Sequence, residues 1–275
     1  MKKLQWLLVV IMTVYMTAGC TLLKPTPKPV PEQQVALGVM VDGRNLGGMT
    51  RDEVNQVLEE LAKERNQMPQ KAFFDDGGRI RPEQNGQMLN AIMTAERVMP
   101  APADSVITAV YDIVEPVIRE QQLAQATKIG AYSTPILDQS AGRLVNLKLT
   151  AKLVSNVVVE PGQEFSFNKT TGEPTVERGF QKAAIFGENG KKAEGLGGGM
   201  CQVSSTLYNA VMAAKLKVTE RHAHSRPVAY VSPGRDATTF TDKDFRFVNT
   251  SRQSIIIRSF QEGNQLIVDL WALPK

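Results

Sequence analysis

The sequence predicts an α+β protein. A small N-terminal α+β unit precedes a mixed α+β domain whose mainly antiparallel sheet packs on a helix that starts near Cys201. Three patterns predict it. Thr50 and Glu53 have capping-box spacing ahead of Val54, Val57, Leu58 and Leu61, an apolar set at helical period. A glycine-rich run, Gly195 and Gly197 to Gly199, leads into Val203, Leu207, Ala210, Val211 and Ala214, again at helical period. Near the C-terminus, Ser254 to Phe260 and Gln265 to Trp271 flank Glu262-Gly263-Asn264, which reads as a hairpin.

In the first unit, residues 35–117, Val35 to Val41 alternates like a strand and Asp42-Gly43 marks a turn. The capped helix follows. Ala72 to Phe74 is a short strand ending at Asp75-Asp76-Gly77-Gly78. Met88, Leu89, Ile92 and Met93 suggest a second helix, and Val106 to Val114 another strand. No catalytic residue types cluster here, so a binding or spacer role is expected. Residues 118–130 are polar and read as a link or a solvated helix. In the second domain, residues 131–275, Ala141 to Val157 carries a helical pattern and Pro161-Gly162 is a turn. Phe165 to Phe167 begins a strand, with further short strands at Val228 to Val231 and Phe245 to Val248.

The first 34 residues speak of location. Lys2 and Lys3, an apolar run from Leu4 to Met16 and the small residues Thr17-Ala18-Gly19 form a secretory signal, too short to span a membrane comfortably. Cys20 directly after Ala-Gly resembles the lipobox of bacterial lipoproteins, which implies acylation at Cys20; a plain secretory signal is the alternative. Residues 21–34 hold Pro25, Pro27, Pro29 and Pro31 and read as an extended tether. The expected location is therefore extracytoplasmic and lipid-anchored. The net charge is +4, of which Lys2 and Lys3 supply two. So mild a balance gives no reason to expect nucleic acid, and leaves membrane attachment to the lipid.

Cys20 and Cys201 are the chain's two cysteines, so an acylated Cys20 leaves Cys201 without a disulfide partner. A helix N-terminus favours a thiolate, and the glycines leave backbone N–H groups for a developing oxyanion. The two histidines, His222 and His224, offer a general base, and Asp236 a group to orient it. Each has a plainer reading: a buried apolar cysteine, a flexible turn, an ordinary surface histidine, a turn aspartate. A zinc site from Cys201, His222 and His224 lacks an evident fourth ligand. No metal and no cofactor is expected.

The run Gly197 to Ala210, GGGMCQVSSTLYNA, resembles the signature of the VanW family. Pro161 to Asn168 (PGQEFSFN), Glu220-Arg221 with His224-Ser225, Gly234 with Asp236-Ala237-Thr238, and Phe245, Phe247 and Asn249 extend the likeness over about residues 130–260. Gly38 to Gly43 and Leu46 to Thr50 resemble the peptidoglycan-binding domain often found ahead of VanW domains. The family is associated with vancomycin-resistance gene clusters and the envelope of mainly Gram-positive bacteria. Some VanW domains are linked to L,D-transpeptidase activity, so the resemblance implies cysteine-dependent acyl transfer on peptidoglycan stem peptides. It implies Cys201 as nucleophile, His224 rather than His222 as base, and Asp236 as its orienter. Oxyanion and substrate contacts then fall to Gly198, Gly199, Gln202, Ser204 and Tyr208. The alternatives are a non-catalytic peptidoglycan-binding protein or an accessory factor in glycopeptide resistance.

Overall fold

The computed structural model describes residues 32–186 and 192–274. The leader, Cys20 and most of the tether lie outside the described residues. Among the described residues, no helix is long and apolar enough to cross a membrane.

In the N-terminal part, β1 (Met40–Val41) and β2 (Arg44–Asn45) are joined by Asp42 and Gly43, both at positive φ (44° and 86°). Mirror-image turns of this kind match strand twist, and Asp and Gly tolerate them best. Helix α1 (Arg51–Arg65) has the expected capping box: Thr50 N donates to Glu53 Oε2 (2.8 Å) and Glu53 N to Thr50 Oγ1 (3.4 Å). It buries Val54, Leu58 and Leu61. Then come β3 (Phe73–Phe74), β4 (Ile80–Arg81), β5 (Gly86–Leu89), α2 (Ala91–Val98), β6 (Val106–Ile107) and β7 (Tyr111–Val114). β1 pairs with β2 antiparallel and with β6 parallel, while β3–β4 and β5–β7 are antiparallel pairs.

Here the sequence patterns mislead in three places. The expected strand from Val35 shrinks to two residues, because Gly38 at φ 78° breaks its line. Met88 and Leu89 belong to β5, since Asn90 accepts from Met93 N (2.9 Å) and so starts the helix at Ala91. Val106–Val114 is split, because Ala109 N donates to Asp42 Oδ1 and Val110 N to Thr94 Oγ1 instead of a neighbouring strand.

The remaining elements are α3 (Glu120–Ala124), β8 (Thr127–Pro135), α4 (Ala141–Val154), β9 (Val158–Val159), β10 (Glu164–Ser166), α5 (Phe167–Thr171), β11 (Lys182–Phe186), β12 (Lys192–Leu196), α6 (Met200–Ala213), β13 (Lys217–Glu220), β14 (Arg246–Val248), β15 (Ile255–Glu262) and β16 (Gln265–Ala272). The segment 118–130 thus carries α3 and the first residues of β8. Phe167 opens α5 rather than extending a strand, because Ser166 caps that helix through Lys169 N (3.1 Å). Val228 to Val231 is not a strand; Pro227 and Pro233 bracket it, and proline cannot donate to a ladder.

The antiparallel sheet β8-β16-β15-β9 is the centre of the fold. One face, with Ile255, Ile257, Leu266, Val268 and Leu270, packs on Val203, Leu207, Ala210 and Val211 of α6 and on Leu147 and Val154 of α4. The fold class expected from the sequence, with the sheet packed on the Cys201 helix, is what forms. The other face is covered too: Ile256 and Leu273 pack with Ala72, Phe74, Ile118 and Leu123. Burial on both faces explains the unbroken Ile255-Ile256-Ile257 run. Asn156, at φ 63°, fastens this cover. Its side chain accepts from Phe74 N (2.7 Å) and donates to Phe74 O (2.8 Å), as a neighbouring strand would.

Helix α6 reaches the sheet closely only because β8 has Gly130, beside a register shift between Leu270 and Trp271 on β16. A Cβ there would overlap the Ala210 carbonyl oxygen and lie 2.8 Å from Ala214 Cβ. Gly130→Ala should therefore push α6 off the sheet and cost about 1–3 kcal/mol. Urea unfolding of wild type and variant measures this, and an unchanged midpoint would contradict the packing described.

Candidate active site

Cys201 is the second residue of α6, delivered there by a glycine turn. Gly197 and Gly199 sit at φ 76° and 118°, a region that side chains with a Cβ rarely adopt. Asn146 of α4 holds the turn from beneath, donating to Gly198 O (3.0 Å) and Gln181 O (2.8 Å) and accepting from Gln181 N (2.8 Å). Gln202, buried, donates to Thr134 Oγ1 (3.1 Å) and Pro135 O (2.9 Å) and accepts from Arg143 Nη2 (3.1 Å), which ties the helix start to β8. The backbone N–H groups of Gly198, Gly199 and Cys201 have no hydrogen-bond partner among the described residues. A helix start leaves its first N–H groups unsatisfied, and they carry the positive end of the helix dipole.

The second half of the site arrives from the chain after β13. Thr238 N donates to His222 O (2.8 Å), which draws residues 222–224 alongside 236–239. Asp236 locks the pair. Its Oδ2 accepts from His224 N (2.6 Å) and meets His224 Nδ1 at 2.7 Å, and its Oδ1 accepts from Arg221 Nη2 (2.8 Å). Serines on α6 then bind this unit to the cysteine helix. Ser204 Oγ donates to Ala237 O (2.6 Å), and Ser205 Oγ accepts from Ala237 N (2.9 Å) while donating to Cys201 O (2.7 Å). Asn209 donates to Arg235 O (2.7 Å), and Tyr208 stacks under the Arg221 guanidinium, 5.4 Å from ring centroid to Cζ.

The thiol of half-buried Cys201 lies 3.6 Å from both Thr238 Oγ1 and Thr239 O. Burial pushes its pKa up. The neighbouring His224 imidazole outweighs this, with help from Thr239 and Thr238, and the thiol comes down to about 7. The same coupling works on His224. Burial disfavours its charged form, but Cys201 and then Asp236 raise it above the ordinary histidine value. Asp236 is disfavoured as an anion by burial, yet the His224 backbone N–H and imidazole hold it below the usual carboxylate range. With Nδ1 turned to Asp236, the other ring nitrogen is left for the thiol.

The structure thus brings together Cys201, His224 and Asp236, and places Gly198 and Gly199 beside them. The side chains of Gln202, Ser204 and Tyr208 are engaged within the protein, positioning the cysteine helix and its neighbours. His222 turns away to Glu220 Oε1 (2.9 Å), so the set Cys201, His222 and His224 does not converge. Among the described residues, no three His, Cys, Asp or Glu side chains gather as a metal set. Sequence reasoning missed Arg143, Asn146, Tyr230 and Thr239. All four reach the site from other elements, and nothing in their local spacing signals it. Burial, followed by the charge of Cys201, raises the Tyr230 phenol.

The chemistry of the thiol is measurable by its alkylation rate as a function of pH. Below its pKa the group is a slow neutral thiol, and above it a fast thiolate. Iodoacetamide labelling of Cys201 should rise with a midpoint near pH 7. In His224→Ala, burial acts without the imidazole, and the midpoint should move above the ordinary thiol value of about 8.5. A wild-type midpoint already at that value would remove the coupling.

A family model described as VanW like protein matches residues 142–271. The Uncharacterized protein YoaR of Bacillus subtilis (strain 168) is 34% identical over 262 residues, covering 88% of this chain and 86% of the relative. The Vancomycin B-type resistance protein VanW of Enterococcus faecalis (strain ATCC 700802 / V583) is 32% identical over 82 residues, 30% of each chain. No solved structure matches. The matched residues hold Cys201, His224 and Asp236, and the chain belongs to the VanW-like family.

Proposed function

We propose that this protein is a lipid-anchored envelope enzyme that transfers acyl groups between peptidoglycan stem peptides through Cys201, in the manner of an L,D-transpeptidase. The observation that carries the reading is the Cys201–His224–Asp236 arrangement, with its thiol brought to about 7 by the imidazole. In the first step the thiolate attacks the carbonyl carbon of a stem-peptide amide. A C–S bond forms, the C–N bond breaks, and the leaving amine takes a proton from the His224 imidazolium. The free N–H groups at Gly198, Gly199 and Cys201 would hold the oxyanion formed on the way. An amine of a second stem, or water, then attacks the thioester and gives its proton to the imidazole, and the thiolate leaves. In this reading Cys20 carries the lipid, residues 21–34 span the gap to the wall, and peptidoglycan is the partner.

The test is intact mass of residues 35–275 after incubation with tetrapeptide stem fragments. An acyl adduct on wild type that is missing from Cys201→Ala is expected, and His224→Ala should slow its formation by roughly 100-fold or more. No adduct and no product, with fragment binding retained in Cys201→Ala, would replace this reading with non-catalytic wall binding.

A further inference from the structure

Arg143, at the start of α4, lies beside the cysteine loop, and its charge acts on the Asp138 carboxylate. Its Nη2 donates to Gln202 Oε1 (3.1 Å), and its Nε is buried with no hydrogen-bond partner among the described residues. It makes no salt bridge among the described residues, whereas Arg221 and Arg246 do. Its stem lies against the glycine turn: a Cβ on Gly199 would be 3.4 Å from Arg143 Cγ. Tyr230 senses the charges of both Cys201 and Arg143, so the guanidinium and the thiol share one neighbourhood. The residue as a whole is half-buried. A buried N–H without a partner is destabilising. A guanidinium offers five donors in a planar fork that fits a carboxylate.

We infer that Arg143 recognises a carboxylate of the donor peptide, so that the site selects stems carrying a free carboxylate close to the scissile amide. This deepens the acyl-transfer reading and rests on it for the identity of the substrate. Two carboxylates share this chemistry: the terminal one on the departing residue, and a side-chain one on the stem.

The test is binding, which separates recognition from chemistry. Titration calorimetry on Cys201→Ala would compare a tetrapeptide stem with its C-terminal amide and with a stem amidated only on its side chains. The free acid should bind about 10- to 100-fold more tightly than one of the two amides, and the amide that loses affinity identifies the carboxylate. Adding Arg143→Gln should abolish the preference, and Arg143→Lys should keep part of it. Equal affinity for all three stems, no binding of the acid, or a preference that survives Arg143→Gln would overturn the inference. The comparison among stems needs only Cys201→Ala, so it stands even if an Arg143 variant folds poorly. A preference without any acyl adduct would sink the chemistry alone, and an adduct without a preference would sink the role of Arg143 alone.

Discussion

The site depends first on the Asp236 carboxylate. A buried carboxylate is costly unless it is hydrogen-bonded and paired, and Asp236 is only 8% exposed. It is satisfied by the His224 backbone, the His224 ring and Arg221, which come from a segment about a dozen positions earlier in the chain. One side chain therefore performs two tasks. It closes the loop that carries the histidine, and it sets which ring nitrogen faces the thiol. Both follow from the demand that a desolvated charge find its donors.

Helix α6 transmits that constraint to Cys201. Its apolar residues enter the sheet, yet Gln202, Ser204, Ser205, Thr206 and Asn209 are buried as well. Each would destabilise the helix if unpartnered, and each has a partner. Thr206 Oγ1 donates to Gln202 O and meets Thr134 Oγ1 of β8, while the serines and Asn209 clasp residues 235–237. A helix buried over most of its length by such specific partners has one rotation and one depth. This fixes the position of its first turn, and so of the thiol, against both the sheet and the histidine loop. Polar groups here select a single arrangement, which apolar packing alone does less sharply.

Much of this was legible in the sequence because its causes are local. The Thr50–Glu53 box, the glycine turn before Cys201 and the terminal hairpin each follow from neighbouring residues. The assignment of His224 over His222 came from family likeness, and the geometry gives a physical reason: His222 pairs with Glu220 while His224 pairs with Asp236. What the sequence hid is non-local. Asn90 and Ser166 start helices as N-caps inside apolar patterns. Side chains from Asp42 and Thr94 took N–H groups that a strand at 106–114 would have used. Arg143 reaches Gln202 and the glycine turn from α4, Tyr230 senses the cysteine's charge from a turn, and no spacing rule links them to the site.

The balance of forces on Cys201 is itself informative about chemistry. Burial alone would keep the thiol neutral, and a strongly cationic surrounding would make a stable but sluggish thiolate. Nucleophilicity falls as thiol pKa falls, so an attacking sulfur is most effective when its pKa is near the ambient pH. A value of about 7 meets that condition at neutral pH. The same coupling raises His224, the direction that the proposed role as acid toward a leaving amine calls for. A cysteine kept only for packing needs neither the imidazole nor the buried carboxylate behind it. Retaining both, at the cost of desolvating two charges, supports the acyl transfer proposed for this thiol.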